Sequence, residues 1–299
     1  MSANTHSDHP EDDTDTSVPS GYRKIQTAQG TKIVREGPVS FVRRELSMSP
    51  NRQRLWEDHM GTTILPVTRS FADTSVAPES HLDIAEVWQQ DAPLIVDIGV
   101  GHGESTYAGA IEHPDKNFLA VEVYRPGLAK LLNRIDAENV TNIRLVEANA
   151  PEVLDHMLGA GTVSEVWVFF SDPWPKNRYH KRRLIQSKFL DRVARVLTHD
   201  GVLRLATDWS HYAHQMRATL DEHPAFKNIH AGRLAGENSP LTLARARGTD
   251  DGNPQPWSDA LDSIGGWAPR FTTRPVTSFE AKAQRAGRYI FDLAYRLSS

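Results

Sequence analysis

The 299-residue sequence contains no cysteine, which excludes disulfide bonds, thiolate nucleophiles and cysteine-ligated metals together. It also lacks any apolar run near the roughly 18 residues that a membrane helix needs, the longest being 166–170. Its thirteen histidines show no His-Glu-x-x-His or similar spacing, so we expect no metal. With a polar, acidic N-terminus unlike a signal peptide, these absences favour a cytoplasmic protein without membrane contact.

The formal net charge of −4 conceals an uneven distribution of charge. Residues 1–20 carry five acidic and no basic side chains, and this composition predicts a disordered acidic tail. Residues 21–54 hold eight basic side chains against two acidic ones, and residues 176–195 hold eight against one. Clustered positive charge of this kind suits a polyanion such as nucleic acid, whatever the total charge.

Short apolar runs alternate with amphipathic segments from Leu94 onward. The predicted strands are 94–98, 118–123, 143–146, 166–170 and 202–206, and the predicted helices are 104–112, 127–135, 152–157, 184–197 and 212–220. This alternation predicts an α/β fold with a doubly wound, mostly parallel sheet, which Arg288–Leu297 completes as a closing edge strand. We therefore divide the chain into the tail 1–20, a basic N-terminal arm 21–89 and a domain 90–299. A surface insertion at about 232–268 interrupts this domain.

A glycine-rich loop lies where the first strand of the domain meets its helix, with Gly99, Gly101 and Gly103 at alternate positions. Glycines here let the backbone approach a ligand closely, beside the unpaired N–H groups of a helix N-terminus. The spacing is G-x-G-x-G, whereas dinucleotide-binding proteins have G-x-G-x-x-G, so a nicotinamide oxidoreductase is disfavoured. A tight structural turn would also explain the glycines alone.

Polar residues at the ends of the first three strands strengthen the interpretation of this loop as a ligand site. Glu122 ends the second strand, where a carboxylate can accept both hydroxyls of a ribose. Asn149 follows the third strand and is placed to bond an adenine edge. Asp97 lies beside the glycine loop and could hold an amino group. Together they favour S-adenosylmethionine over a dinucleotide.

A stiff loop, Ser171-Asp172-Pro173-Trp174-Pro175-Lys176, follows the buried fourth strand directly. Ligands of open α/β sheets bind outside the carboxyl ends of the strands, so this loop lies at the mouth of the site. Trp174 could equally stack on a base or fill the core beneath the loop. The basic run 177–183 precedes a predicted helix, where cations oppose the helix dipole, so phosphate contact explains the run better. The pattern favours RNA over a small substrate.

These residues resemble those of one family, the bacterial tRNA (guanine-N7-)-methyltransferases of the TrmB type. The resemblance rests on five blocks, 97–103, 120–123, 169–176 with 181–183, 206–209 and 274–280. It covers residues 90–295; upstream, only 40–44 is similar to the family's N-terminal arm. It implies a Rossmann-like class I methyltransferase fold and transfer of a methyl group from S-adenosylmethionine to a guanine of tRNA. That guanine would be guanine 46 of the variable loop.

The resemblance also implies roles for individual residues. The positions that correspond to contacts with S-adenosylmethionine are Asp97, Gly99, Gly101, Gly103, Glu122, Asn149 and Asp172, and those that correspond to substrate binding are Lys176, Asp208, Thr277, Ser278, Phe279 and Glu280. Asp172 is also the presumed catalytic position, and Asp208 and Glu280 would be substrate-side acids. The chain departs from the family at three positions: Asp97 is often Glu, Asn149 is often Asp, and Ser278 is usually Lys.

Two other functions compete with this interpretation. The segment Asp172-Pro173-Trp174 is similar to the Asp-Pro-Pro-Tyr motif of exocyclic-amine methyltransferases, although the second consecutive proline is missing. An RNA-binding scaffold without activity is the second, but it would not need the ribose-binding Glu122. Both the guanine-N7 and the exocyclic-amine methyltransferase would need an accessible base. The loops of tRNA present such bases, and nothing in the sequence gives a reason to expect a DNA partner. The sequence leaves a monomer and a homodimer both open.

Overall fold

The computed structural model describes residues 22–27, 30–35, 48–233 and 265–298. The predicted acidic tail 1–20, the segment 40–44 and most of the predicted insertion lie outside these residues. The two ends of the insertion are adjacent, because the N–H of Gly266 donates to the carbonyl of Arg233 at 3.0 Å. The chain therefore leaves and re-enters the domain at one point.

Contacts divide the chain into two units, residues 1–39 and residues 40–299. The first contains an antiparallel hairpin of β1 and β2, in which Tyr22 pairs with Arg35 and Thr27 with Gly30. In the second, Trp56, Val76 and Trp88 are all buried in the core. Residues 48–89 therefore belong to the same compact unit as the domain, which differs from the predicted boundary at residue 90.

Nine strands and eight α-helices are described. The strands are β1 Tyr22–Thr27, β2 Gly30–Arg35, β3 Leu94–Ile98, β4 Asn117–Glu122, β5 Ile143–Glu147, β6 Val163–Phe169, β7 Leu197–Thr207, β8 Phe226–Asn228 and β9 Phe291–Leu297. The helices are α1 Pro50–Asp58, α2 Ile84–Trp88, α3 Glu104–Glu112, α4 Arg125–Glu138, α5 Ala150–Glu152, α6 Ser187–Val196, α7 Ser210–Asp221 and α8 Ser278–Arg285. A π-helical turn, Val153–Met157, continues α5, and Asn177–Arg182 forms a 3-10 helix.

The second unit is built on a seven-stranded sheet in the order β5-β4-β3-β6-β7-β9-β8. Strands β3 to β7 are parallel to one another, and β9 is antiparallel to β7. The predicted doubly wound, mostly parallel sheet and its antiparallel closing strand are thus confirmed. The structure adds the three-residue β8 on the outer side of β9.

Alternating apolar side chains on β6 bury both faces of the sheet. Val166 and Val168 belong to the core beneath α6 and α7, whereas Trp167 and Phe169 belong to the core beneath α3 and α4. Trp167 is the centre of the second core, with Phe118 at 5.7 Å between ring centroids. Such continuous apolar strands are typical of parallel sheets covered by helices on both faces.

Candidate active site at the carboxyl edge of the sheet

The glycine loop follows β3 with all three of its alternate glycines in the left-handed region. Gly99, Gly101 and Gly103 have φ angles of 73°, 57° and 72°, and Gly103 caps the N-terminus of α3. A Cβ added at Gly99 would meet nothing within 4 Å. At Gly99 the loop therefore combines a backbone that L side chains rarely adopt with open space, as expected where a ligand approaches closely, whereas a Cβ at Gly103 would come within 2.4 Å of Leu131.

A fourth glycine, Gly127, was missed by sequence reasoning. It lies in the first turn of α4, where an added Cβ would come within 2.2 Å of the carbonyl oxygen of Gly101. The absence of a side chain lets α4 pack directly on the glycine loop. The signal was available, because Arg125-Pro126-Gly127 places a poor helix former at the start of an amphipathic helix.

Backbone amides hold the carboxylate of Glu122 at the end of β4. Oε1 accepts from Val123 and Tyr124 at 2.7 and 3.0 Å, and Oε2 accepts from Gly101 at 2.9 Å. Burial raises the pKa of Glu122, the three amides lower it, and Asp172 raises it again. A carboxylate has about four acceptor positions, so Glu122 can still accept from a ligand hydroxyl beside the three amides.

Asp97 is a nearly fully buried acid below the glycine loop, with 2% of its surface exposed. The hydroxyl of Thr106, which sequence reasoning missed, donates to its Oδ2 at 2.6 Å. Burial raises the pKa of Asp97 to about 7, opposed by the Thr106 hydrogen bond and reinforced by the charge of Glu122. A cation brought to Asp97 would favour its charged form, which fits the predicted role of binding an amino group.

Asn149 lies two residues beyond the end of β5 and is buried. Its backbone N–H donates to the carbonyl of Thr74 at 2.7 Å, and its side-chain Nδ2 donates to Glu152 at 3.0 Å. The position at the carboxyl edge agrees with the predicted adenine site. The engagement of the side-chain nitrogen by Glu152 was not predicted.

The loop after β6 carries Asp172 to the mouth of the site. Phe170 and Trp174 have φ angles of 57° and 42°, which are costly for bulky side chains and occur mainly at functional sites. Asp172 is exposed, and its charge contributes to the raised pKa of Glu122, so the two carboxylates lie within electrostatic range. The structure thus brings Asp172 to the same edge as the glycine loop.

Arg183 fixes this loop from below and is not the phosphate contact that the basic run suggested. Its guanidinium is 1% exposed, and its Nε donates to the carbonyl of Pro173 at 2.7 Å. A second nitrogen lies 3.0 Å from His211 Nδ1, and the guanidinium lies over the ring of Tyr212. Arg183 therefore supports the Asp172 loop from within the protein.

The rest of the basic run forms its own 3-10 helix, Asn177–Arg182, before α6 begins at Ser187. Lys181 and Arg182 occupy the last turn of that short helix, so for these two cations the argument that they oppose a helix dipole is wrong. Arg182 lies over Trp174 at 5.1 Å and over Tyr179 at 4.8 Å, and the two rings meet edge to face at 6.0 Å. Trp174 is therefore part of a partly exposed surface cluster and does not fill the core.

The first turn of α8 lies against the glycine loop and the start of α3. A Cβ on Gly101 would lie 3.6 Å from the ring of Phe279, which is 56% exposed. Ser278 donates its N–H and its hydroxyl to the carboxylate of Glu104 at 3.0 and 3.2 Å. Glu104 begins α3 and was missed by sequence reasoning, although an acid in the first turn after the glycine loop was visible.

Two other predicted substrate residues of this segment serve its internal structure. Thr277 caps α8 by accepting from the N–H of Glu280 at 3.1 Å. Glu280 is fully buried, with its carboxylate paired to Arg270 at 2.7 Å and to Arg274 at 3.1 Å, and Arg274 is also paired with Asp292. In this structure Glu280 fixes α8 against β9, which does not match the prediction of a substrate-side acid.

The remaining two predicted substrate residues lie nearer the surface. Asp208 follows β7 and accepts from Arg288 Nε at 2.7 Å. Lys176 is exposed at the start of the 3-10 helix. Across the described parts of the chain, no group of three or more His, Cys, Asp or Glu side chains is arranged to hold a metal ion. No helix among those residues is long and apolar enough to cross a membrane.

Comparison with known proteins identifies the class to which this fold and site belong. A family model described as "Putative methyltransferase" matches residues 91–247, which is more than half of the chain. A precorrin-6y C5,15-methyltransferase from Geobacter metallireducens GS-15 overlaps with a TM-score of 0.40 and 16% identity, over 69% of this chain and 81% of that one. The family match shows that the chain is a methyltransferase.

Curated relatives define the family more narrowly. A tRNA (guanine-N(7)-)-methyltransferase from Paenarthrobacter aurescens strain TC1 is 48% identical over 274 residues, covering 87% of this chain and 91% of the relative. One from Cutibacterium acnes is 37% identical over 297 residues, covering 96% of each. The chain belongs to the family of tRNA (guanine-N(7)-)-methyltransferases, which confirms the resemblance seen in the motifs.

Proposed function

We propose that this chain transfers the methyl group of S-adenosylmethionine to N7 of a guanine in tRNA, namely guanine 46 of the variable loop. The observation that supports this most strongly is the near full-length similarity to enzymes of that name. The geometry agrees, because the glycine loop, Glu122 and Asp172 share one edge of the sheet. We place the activity in the cytoplasm, where its tRNA substrate would be met.

The residues around the glycine loop suit S-adenosylmethionine, which supplies a methyl group on a sulfonium when it is bound. Gly99 leaves the space that a ligand needs to approach the backbone. Glu122 keeps an acceptor position for a ribose hydroxyl. Asp97 is the buried acid that an ammonium group would satisfy. Asn149 lies where an adenine edge would be read.

The chemistry at guanine requires little proton transfer from the protein. N7 of neutral guanine has a lone pair and no proton, so no general base is needed for its methylation. The product ring is cationic, and a carboxylate aimed at it stabilises the charge that develops. We assign that role to Asp172, which also orients the base by accepting from N1–H and the exocyclic amine. Adenine cannot imitate this pattern of donors.

The surface beside Asp172 supplies features suited to RNA. Lys176, Arg178, Lys181 and Arg182 are partly or fully exposed there. The Trp174 and Tyr179 rings with Arg182 offer the aromatic and guanidinium surfaces on which unpaired bases stack. We propose that this surface holds the tRNA around the target guanine.

Methylation of unmodified tRNA transcripts tests this function and its position. A transcript with guanine at position 46 should accept methyl groups, and cleavage at 7-methylguanosine should map to that nucleotide. A matched transcript with adenine at position 46 should accept none. Equal methylation of both would show that another nucleotide is the target, and methylated adenosine or cytidine would favour an exocyclic-amine methyltransferase.

A further inference from the structure

The side chain of Asn149 has a fixed partner that orients its amide. Nδ2 donates to Glu152 Oε1 at 3.0 Å, and both residues are buried. The other oxygen of Glu152 accepts from the backbone N–H of Val76 at 2.8 Å. The carboxylate is thus held on two sides, by the segment before the sheet and by Asn149 itself.

This contact determines which end of the amide faces Glu152. A carboxylate only accepts hydrogen bonds, so the amide group that meets it must be the NH₂ and not the oxygen. The orientation therefore follows from chemistry and does not depend on how the two ends of an amide are distinguished. Oδ1 of Asn149 is turned away from Glu152 and is the atom left to meet a ligand.

An amide oxygen at this position distinguishes purines by the group at carbon 6. The amine of adenine donates a hydrogen bond to such an oxygen. Hypoxanthine has an oxygen there, which would face Oδ1 as a second acceptor. Relatives that have Asp in place of Asn149 would offer an acceptor from either oxygen and would need no such orientation.

We infer that Glu152 is a positioning residue that makes the site selective for an adenosyl donor, by holding Asn149 with its oxygen toward the base. This inference rests on the proposed placement of adenine at Asn149. Glu152 does not itself contact the donor, and its effect passes through the amide of Asn149. The expected signature is a change in the preference between adenosyl and inosyl ligands, which a purely structural residue would not alter.

Substitution Glu152→Gln tests this directly, because Val76 keeps the direction of the new side chain. The backbone N–H of Val76 donates to the Gln oxygen, so the Gln NH₂ faces Asn149 and requires an acceptor there. The Asn149 amide then turns and presents its NH₂ to the base. A lost or opposed hydrogen bond in a buried site corresponds to about a tenfold to hundredfold change in affinity. The wild type should prefer S-adenosylhomocysteine to S-inosylhomocysteine, and E152Q should reduce that preference at least tenfold in calorimetric titrations.

Two further variants and a matched control complete the test. Asn149→Asp alone would place two carboxylates about 3 Å apart, since Asn149 lies 3.0 Å from Glu152, and should weaken S-adenosylhomocysteine binding at about pH 8. The double variant N149D/E152Q gives the Gln NH₂ a carboxylate acceptor and should restore binding. Asp155→Asn is the matched control. Asp155 lies on the turn after Glu152 and is paired with Arg192, so removing its charge should leave the preference between the two ligands unchanged.

An unchanged preference in folded E152Q, or equal weakening of both ligands, would overturn the inference. If E152Q does not fold, N149D provides the test. Undiminished binding of S-adenosylhomocysteine by N149D would show that the Glu152 carboxylate does not face residue 149, and would overturn the inference. The titrations contain no tRNA, so they are independent of the methyl acceptor. A wild type that binds S-adenosylhomocysteine selectively but does not methylate tRNA would contradict the proposed function and leave this inference standing.

Discussion

The buried carboxyl group of Asp97 makes the stability of the unliganded protein depend on pH. Asp97→Asn removes the charge and retains an oxygen that can accept from Thr106, whose hydroxyl lies 2.6 Å from Oδ2. The pKa of Asp97 rises from 3.8 to about 7 on folding because of burial. As pH increases between these values the unfolded chain loses the proton first, so the free energy of unfolding of the wild type falls.

The size of this effect follows from the two pKa values. Each pH unit between them corresponds to about 1.4 kcal/mol, which gives about 4 kcal/mol in total and about 3 kcal/mol between about pH 5 and pH 8. The Asn variant lacks this loss. Its stability relative to the wild type should therefore increase by about 3 kcal/mol over that interval and level off above about pH 7.

Urea denaturation of both proteins between about pH 5 and pH 8 measures the difference in their free energies of unfolding. The other titrating groups are common to the two chains, so their contributions cancel in this difference. Adding S-adenosylhomocysteine at about pH 8 should stabilise the wild type more than the variant, because its ammonium group stabilises ionised Asp97 in the wild type only. A stability difference that does not change with pH would refute the reasoning. So would a variant that gains as much from the ligand as the wild type does.

Three further predictions concern catalysis, the glycine loop and RNA binding. Asp172→Asn should lower kcat about a hundredfold while S-adenosylhomocysteine affinity changes less than about twofold, and a parallel loss of affinity would make Asp172 a donor-binding residue. Gly127→Ala should weaken S-adenosylhomocysteine binding more than about tenfold, because its Cβ meets the Gly101 carbonyl at 2.2 Å. Gly159→Ala, with only a methyl of Thr162 at 3.1 Å, is its control and should bind normally in calorimetry. Trp174→Ala should weaken tRNA binding about tenfold in filter binding and leave donor affinity unchanged, and raising salt should weaken tRNA binding by both proteins. Unaltered tRNA affinity in Trp174→Ala would exclude stacking there.

The sequence predicted the edge of the sheet on which the site lies because parallel strands end together. Glu122, Asn149 and Asp172 each follow an apolar strand, so their proximity follows from the α/β pattern alone. The helix Glu104–Glu112 was predicted with its observed bounds, since the glycine loop marks its start. These are local signals, and local periodicity is what a single sequence carries best.

What the sequence did not predict depends on side-chain contacts that only the folded structure reveals, even where the two residues are close along the chain. Thr106 and Glu152 look ordinary until folding brings them to Asp97 and Asn149. The family resemblance implied a substrate role for Glu280, and nothing in the sequence shows that its carboxylate is buried and paired with Arg270 and Arg274. Arg183 was read as one of several surface cations for the same reason. Burial of a charged side chain is decided by tertiary packing and cannot be read from a basic run.

The most direct test of the central claim is nucleoside mass spectrometry after incubating unmodified tRNA with the protein and S-adenosylmethionine labelled in its methyl group. The account predicts that the label appears in 7-methylguanosine. Label in another nucleoside, or no label from a protein that binds the donor, would contradict it.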